Sequence, residues 1–276
     1  MNLIENVREA VRSIKVNLLR TVLTGAIIAI GISSLVGMLT AIDGIKTQIA
    51  DSFSGLGANS FDLRNKGFSG GRAIQDGKTE KTYPKLSFRE VMNFKEKYNS
   101  VGISTVFVSV TGSAEVKRGS KTTNPNVRIR GGDDNYISIK AMKLGSGRNF
   151  TSMEVQNGFN VCIIGKELAT TLFTAAEDPL NQKIIVLGRP YTVIGVLEEQ
   201  GGVGQDSGAD RQILIPIENA SRLDQRGTFN YTVTGVASGP ERIDYEMGQA
   251  IGMMREIRQD RVAQEDSFDL TKSQSV

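Results

Sequence analysis

The 276-residue sequence predicts an α+β protein in which one N-terminal transmembrane helix precedes a two-lobed extracytoplasmic domain. Three observations lead to this fold class. Residues 22–42 are free of charge and proline, the patterns of strands and helices alternate after them, and strand-helix-strand occurs twice. The two occurrences lie at 58–112 and 227–272, on either side of a mainly β stretch at 113–226.

The apolar segment reads VLTGAIIAIGISSLVGMLTAI. As an α-helix it would be about 31 Å long, which matches the hydrocarbon thickness of a bilayer. A buried core helix is the alternative, but few soluble proteins have a helix that is apolar on every face. A cleavable signal peptide is a second alternative, which the length of the apolar region disfavours.

Residues 1–19 form an amphipathic pattern with apolar side chains at three- and four-residue steps. This pattern predicts a helix on the cytoplasmic membrane surface, or a helix packed on protein. Four basic residues precede the span, whereas only Lys46 lies between 43 and 57. This asymmetry predicts a cytoplasmic N-terminus and a periplasmic main domain. The four are Arg8, Arg12, Lys15 and Arg20.

Small residues recur at every fourth position of the span, which is typical of a face on which another membrane helix packs closely. The helical pattern continues beyond the membrane until Gly55 and Gly57 end it, so 20–57 is predicted as a span with a short stalk. The chain offers no second apolar run of spanning length as a partner. The predicted packing face consists of Gly25, Ala29, Ser33, Gly37 and Ala41.

Beyond the stalk, a capping box at Ser87 and Glu90 predicts a helix over FREVMNFKEKY. Strands are predicted on both sides of it, at 58–65 and 102–112, and the pattern returns as a strand at 230–237, a helix from Pro240 to Gln259 and a strand at 267–270. Two such halves can form a split ferredoxin-like lobe. The inserted lobe, 113–226, has a predicted short helix at 165–173 and strands at 126–131, 160–164, 183–188, 191–197 and 211–216.

The residues give little support for catalysis. The chain has no histidine and a single cysteine, Cys162, within an apolar strand. Asp133 and Asp134 are interpreted as a solvated acidic pair in a turn. Basic residues are scattered without stacking aromatics, so nucleic acid is not an expected partner. No catalytic residue, cofactor or metal ligand is predicted on this chain.

Glycines are concentrated in QGGVGQDSGAD, between two predicted strands. A phosphate-binding loop should open a helix, whereas this one precedes a strand, and no GxxxxGK[ST] motif occurs in the sequence. The segment is therefore predicted to be a hairpin loop and a candidate for contact with a partner. Its glycines are Gly201, Gly202, Gly204 and Gly208.

Several segments, in order, resemble the MacB-type permeases of ABC transporters and their lipoprotein-releasing and FtsX-like relatives. Gly147 and Arg148 stand at the position of the family's Gly-Arg turn, whereas Asn181 replaces the glycine expected in a DP-x-G turn. The segments are LLRTVLTGAIIAIGISSLVGM, GLGANSFDLR, LGSGRNFTSMEV, NVCIIGKELATTLF, DPLNQKIIVLGRPYTVIGVLEEQGG, ILIPIENASRL and EDSFDL.

The resemblance implies a non-catalytic permease subunit that couples cytoplasmic ATP hydrolysis to movement of a periplasmic domain, exporting or extruding cargo from the inner membrane or periplasm. ATP and Mg would bind to a separate ABC ATPase subunit. A second permease copy is an implied partner, and a periplasmic adaptor and an outer-membrane channel are further candidates.

Permeases of this family continue into three more membrane helices. The sequence is therefore expected to be a fragment, or else a single-span relative. Two other classes stay open on the residues alone. One is a single-span periplasmic adaptor or scaffold that binds an envelope partner. The other is a membrane-anchored enzyme, which the lack of histidine and of a catalytic constellation disfavours.

Overall fold

The computed structural model describes residues 8–9, 12, 17–55, 59–66, 83–174, 177–199, 210–224, 227–260 and 265–272. Contacts divide the chain into two compact units, Met1–Phe53 and Ser54–Val276. Most of the predicted amphipathic helix at 1–19 lies outside the described residues, as do the side chains of the predicted stalk beyond Ile42. The candidate contact loop with Gly201, Gly202, Gly204 and Gly208 lies outside them too.

The first unit is dominated by helix α1, Leu18–Gly55, which is 38 residues long. Its part Leu18–Ile42 has 25 residues and a mean hydropathy of 2.2, and within the described residues it is the one helix long and apolar enough to cross a membrane. Thr24 and Thr40 donate their hydroxyls to carbonyl oxygens one turn earlier, at 2.8 and 2.9 Å. These hydroxyls therefore need no water, as hydrocarbon surroundings would require.

The second unit combines twelve strands with six helices in its described part. The helices are α2 Phe88–Tyr98, α3 Tyr136–Ile139, α4 Ser152–Asn157, α5 Lys166–Leu172, α6 Ile217–Ser221 and α7 Ile243–Arg258. The strands are β1 Ser60–Asn65, β2 Ile103–Ala114, β3 Val116–Arg118, β4 Lys121–Thr122, β5 Val127–Gly132, β6 Leu144–Gly147, β7 Val161–Ile164, β8 Lys183–Val186, β9 Arg189–Leu197, β10 Gln212–Pro216, β11 Tyr231–Val236 and β12 Phe268–Lys272.

All the strands belong to one sheet, in the order β12-β1-β11-β2-β5-β10-β7-β9-β8-β3-β4, with β6 also paired to β9. The predicted strands are present with their ends shifted by a few residues. Strands β3 and β4 were not predicted, because two or three residues are too few to show a period of two. β6 was not predicted because its sequence, LGSG, lacks the β-branched and aromatic residues typical of strands. The α+β fold class is confirmed.

The order β12-β1-β11-β2 unites the strands of the two outer segments, and each neighbouring pair is antiparallel. This is the arrangement of a split ferredoxin-like layer. Helices α2 and α7 pack against each other and against this part of the sheet. The rings of Phe61 and Tyr98 lie 5.8 Å apart, and those of Phe88 and Tyr231 lie 5.6 Å apart. Odd-numbered residues of β1 and β11 therefore face the helices.

The division between an outer lobe and an inserted lobe at 113–226 stays a prediction. β2 of the outer segment pairs directly with β5 of the inserted segment. Buried apolar side chains from both segments also form one continuous cluster. Any relative movement of two such lobes would have to break or bend this shared sheet.

The start of α2 agrees with the predicted capping box. Ser87 accepts a hydrogen bond from the backbone of Glu90, and the Glu90 carboxylate accepts one from the backbone of Ser87 at 2.7 Å. Thr151 and Glu154 form a second capping box at the start of α4, which was not predicted. Both boxes satisfy backbone donors that a helix start leaves without intrahelical partners.

Two tight backbone positions explain the residues found in the Gly-Arg turn and the DP-x-N turn. Gly147 has a φ of +81°, and a β-carbon there would lie 2.7 Å from the α-carbon of Gly195 and would also collide with the carbonyl oxygen of Ile194. Asn181 has a φ of +61°. Asparagine tolerates this left-handed conformation better than most residues, so the replacement of glycine there preserves the turn.

We expect Gly147→Ala to destabilise the second unit by at least about 3 kcal/mol, because left-handed strain and a backbone collision add together. Gly188→Ala is the matched control, since its φ is +76° but nothing lies within 4 Å of its added β-carbon. That control should cost about 1 kcal/mol. Chemical denaturation followed by circular dichroism measures both, and equal losses would contradict the collision.

Candidate functional site

A buried carboxylate joins the outer segment to the inserted segment. Asp133 follows β5 and is fully buried. Its Oδ1 accepts from the Thr105 hydroxyl at 2.5 Å, and its Oδ2 accepts from the Val106 backbone N–H at 2.9 Å. The ammonium of Lys95, on α2, donates to Oδ2 at 2.6 Å. Three donors from β2 and α2 therefore converge on one carboxylate of the inserted segment.

The interpretation of Asp133 and Asp134 as a solvated pair was wrong for Asp133. Its carboxylate exchanges water for a cation, a hydroxyl and a backbone N–H, which together offset the cost of burial. Asp134 is 30% exposed and lies 3.5 Å from the Lys95 ammonium. Sequence proximity hid the difference, because the donors to Asp133 lie 27 to 38 residues earlier in the chain.

The hydrogen bonds continue from Asp134 to the Gly-Arg turn. Asp134 accepts from the Ser152 hydroxyl at 2.8 Å through its side chain and from the Asn149 amide at 2.7 Å through its backbone. Arg148 then holds Glu154 by two hydrogen bonds of 2.7 and 2.8 Å. We call the connected set Lys95, Thr105, Asp133, Asp134, Arg148, Asn149, Ser152 and Glu154 the junction network.

A cleft of about 290 Å³ opens beside the network, between α2 and α4. Lys95, Asn99, Asp134 and Ser152 are among its lining residues. Of these, Lys95, Asp134 and Ser152 also belong to the junction network, which connects the two segments that form the cleft. The network holds charged groups and hydrogen-bond donors in fixed positions, which is a structural role.

Other chemistry finds little support in the described part of the chain. No group of three or more His, Cys, Asp or Glu side chains that could hold a metal ion occurs among the described residues. Cys162 is fully buried in β7, and burial raises the pKa of its thiol. A thiol with a raised pKa is a poor nucleophile.

The predicted packing face lies on the exposed surface of α1. Its positions succeed one another by four residues, so they form a slowly drifting band along one side of the helix. A β-carbon added at Gly25 or Gly37 would meet nothing within 4 Å. The role of this band, Gly25, Ala29, Ser33, Gly37 and Ala41, stays a prediction.

Replacing Asp133 by asparagine should destabilise the second unit by about 3 kcal/mol, because it removes the buried carboxylate bonded directly to the Lys95 ammonium and leaves only the more distant Asp134 as a counter-charge. Asp134→Asn is the matched control and should cost less than about 1 kcal/mol, since that carboxylate is partly solvated. Denaturant titration of both variants tests this, and similar stabilities would contradict a special role for Asp133.

The Glu154 carboxylate should make stability depend on pH. The hydrogen bonds from Arg148 lower the pKa of Glu154 to about 2, below its ordinary value of 4.5. Ionised Glu154 therefore stabilises the fold above pH 4.5, and this contribution is lost as the pH falls towards 2. Because Arg148 is 53% exposed, we expect a contribution of about 1 kcal/mol.

The difference in unfolding free energy between wild type and Glu154→Gln should accordingly shrink between pH 6 and pH 2.5. When the same comparison is made in a chain that already carries Arg148→Met, Glu154→Gln should change the unfolding free energy equally at both pH values, because the cation that lowers the pKa of Glu154 is absent. A wild-type advantage that stays constant over this range would rule out the effect.

Comparison with known proteins places this geometry in a family. Residues 21–245 match the model of the MacB-like periplasmic core domain. The chain is 29% identical over 221 residues to the pyoverdine export ATP-binding/permease protein PvdT of Pseudomonas syringae pv. syringae, which covers 79% of this chain and 31% of PvdT. It is 28% identical over 244 residues to the macrolide export ATP-binding/permease protein MacB of Azoarcus sp., covering 88% of this chain and 35% of that protein.

The chain thus spans about a third of the length of these two relatives. The crystal structure of the periplasmic region of MacB from Actinobacillus actinomycetemcomitans has the same fold, with a TM-score of 0.60 at 18% identity, over 82% of this chain and 94% of that one. The family match includes most of the apolar part of α1 and most of the sheet domain. The chain belongs to the family of MacB-like periplasmic core domains.

Proposed function

We propose that this chain is part of the permease subunit of an ABC exporter, in which ATP hydrolysis on a separate ATPase subunit moves an extracytoplasmic domain. The observation that carries the proposal is the family match over residues 21–245, which includes most of the apolar part of α1 and most of the sheet domain. The names of the two relatives, an export protein for pyoverdine and one for macrolides, support the transport class and leave the cargo of this chain open.

In this proposal α1 crosses the inner membrane with its N-terminus in the cytoplasm, in accord with the basic residues that precede it. The sheet domain then lies in the periplasm. The small-residue face on α1 packs against helices of the permease or of its second copy. The chain itself binds no cofactor, and ATP and Mg bind to the ATPase.

The junction network supports the mechanical part of the proposal. A domain that relays movement must transmit force without unfolding at its internal connections. The bond from the Lys95 ammonium to the buried carboxylate of Asp133, at 2.6 Å, ties α2 to the end of β5, next to the pairing of β5 with β2. The candidate loop with Gly201, Gly202, Gly204 and Gly208 is proposed to meet a periplasmic adaptor, and through it an outer-membrane channel.

A distance measurement between two copies tests the coupling. Ser113 is exposed near the end of β2, and the one native thiol, Cys162, is fully buried. A spin label on Ser113→Cys in the complete permease, assembled with its ATPase and with any exposed cysteines outside this sequence replaced, should therefore report one distance between copies. Adding a non-hydrolysable ATP analogue should shift this distance by about 5 Å or more, as rigid-body domain movements do.

In Gly37→Leu the well-defined distance between the two spin labels should disappear, because a large side chain on the packing face separates the helices and so the two copies. Gly31→Leu is the matched control, since Gly31 lies on the opposite side of α1 and should leave the distance intact. Recovery of the chain without any ATPase, or a distance that ATP analogues leave unchanged, would contradict the proposed function.

A further inference from the structure

The face of the ferredoxin-like layer opposite α2 and α7 is unusually polar. Apolar Phe61 and Tyr231 point towards the helices, so the alternating residues of β1 and β11 point the other way. These include Asp62, Thr232 and Thr234, which are nevertheless buried. Helix α3 lies on this face, where the ring of Tyr136 is 5.3 Å from that of Phe107.

Two cations share one carboxylate at the centre of this face. Arg64 donates to Asp62 Oδ2 at 2.5 Å, and the Lys140 ammonium lies 3.6 Å from Oδ1. Lys140 also donates to the Thr234 hydroxyl at 3.0 Å and lies 4.8 Å from the centre of the Phe107 ring. Three groups thus hold the Lys140 ammonium in place: the Phe107 ring, the Thr234 hydroxyl and the Asp62 carboxylate that it shares with Arg64.

A third cation completes the group. Arg130, on β5, donates to the Tyr136 hydroxyl at 3.1 Å. The α-carbon of exposed Asp269, on the edge strand β12, pairs with that of Arg64. Arg64 and Lys140 thus share the Asp62 carboxylate, Arg130 lies on the same face beside Tyr136, and Asp269 lies on the neighbouring edge strand. Burial lowers the pKa of Lys140 most, and the charges of Arg64 and Arg130 lower it further, although Asp62 raises it.

Such a cluster stores an unfavourable excess of positive charge that an anion would relieve. Guanidinium groups present paired N–H donors that match carboxylate and phosphate oxygens, and an ammonium adds a point charge. The Arg64 side chain is 44% exposed and that of Lys140 is 25% exposed, so solutes can reach the group. We propose that Arg64, Arg130 and Lys140 form a binding site for an oxyanion, the carboxylate or phosphate group of a small soluble ligand.

The site can be tested without transport, so its failure is separable from failure of the permease function. The full chain in detergent is treated with an acetylating reagent, and modification of each lysine is measured by mass spectrometry. Inorganic phosphate or succinate is titrated at constant ionic strength. A bound anion raises the pKa of Lys140 and covers its ammonium, so we expect a saturable fall of about tenfold in its acetylation rate.

Lys183 is exposed on β8 and is the internal control, so its rate should not change. Arg64→Gln and Arg130→Gln should each weaken the protection about tenfold, as expected for loss of a charge-assisted hydrogen bond. Lys117→Gln removes an exposed charge on β3 and should leave the protection unchanged.

Saturable protection by phosphate alone, or by succinate alone, supports the site and identifies the preferred group. Equal protection of Lys140 and Lys183, protection that does not saturate, or protection that survives both arginine substitutions would overturn it. A short-chain phosphatidylglycerol provides a further arm. Protection by this lipid with none by the free anions would overturn the assignment to a soluble ligand.

Discussion

The buried carboxylate of Asp133 is the constraint on which the second unit depends. A charge in this position is tolerable only if α2 presents Lys95, β2 presents Thr105 and a backbone N–H, and β5 ends at the right register. Apolar packing alone would allow small slips between β2 and β5, because the hydrophobic effect is non-directional. The carboxylate converts that loose preference into a single alignment.

The rest of the sheet follows from this alignment. β5 pairs with β2 on one side and, in parallel, with β10 on the other. β10 then leads through β7 to β9, where the turn at Gly147 fits against Gly195. The Arg148–Glu154 pair closes the path, since Asn149 and Ser152 bond back to Asp134 beside the starting carboxylate. Local polar geometry and long-range strand order therefore support each other.

Much of the fold could be predicted from sequence because it is written in local patterns. The uncharged run at 22–42, the capping box at Ser87 and the alternation in β2 each involve residues close together in the chain. The candidate sites were harder. Asp133 looks like any acidic residue of a turn until the distant residues that donate hydrogen bonds to it are known. Arg64, Arg130 and Lys140 are scattered over 77 positions, and no motif in the sequence links them. The one signal in the sequence was Asp62, a charged residue between the apolar residues Phe61 and Leu63 of β1. That signal is ambiguous, because a charged residue at an alternate strand position usually faces solvent and looks the same in sequence as a buried one.

Strands β1 and β12 are antiparallel neighbours, with Phe61 opposite Lys272. In the described part of the sheet domain, the start of its first strand and the end of its last strand therefore lie side by side, within about 5 Å. A domain whose two ends lie side by side can be inserted into a surface loop of another protein without changing the fold of that protein. Such a domain can therefore be acquired in evolution, or engineered into another protein, by joining two neighbouring chain ends.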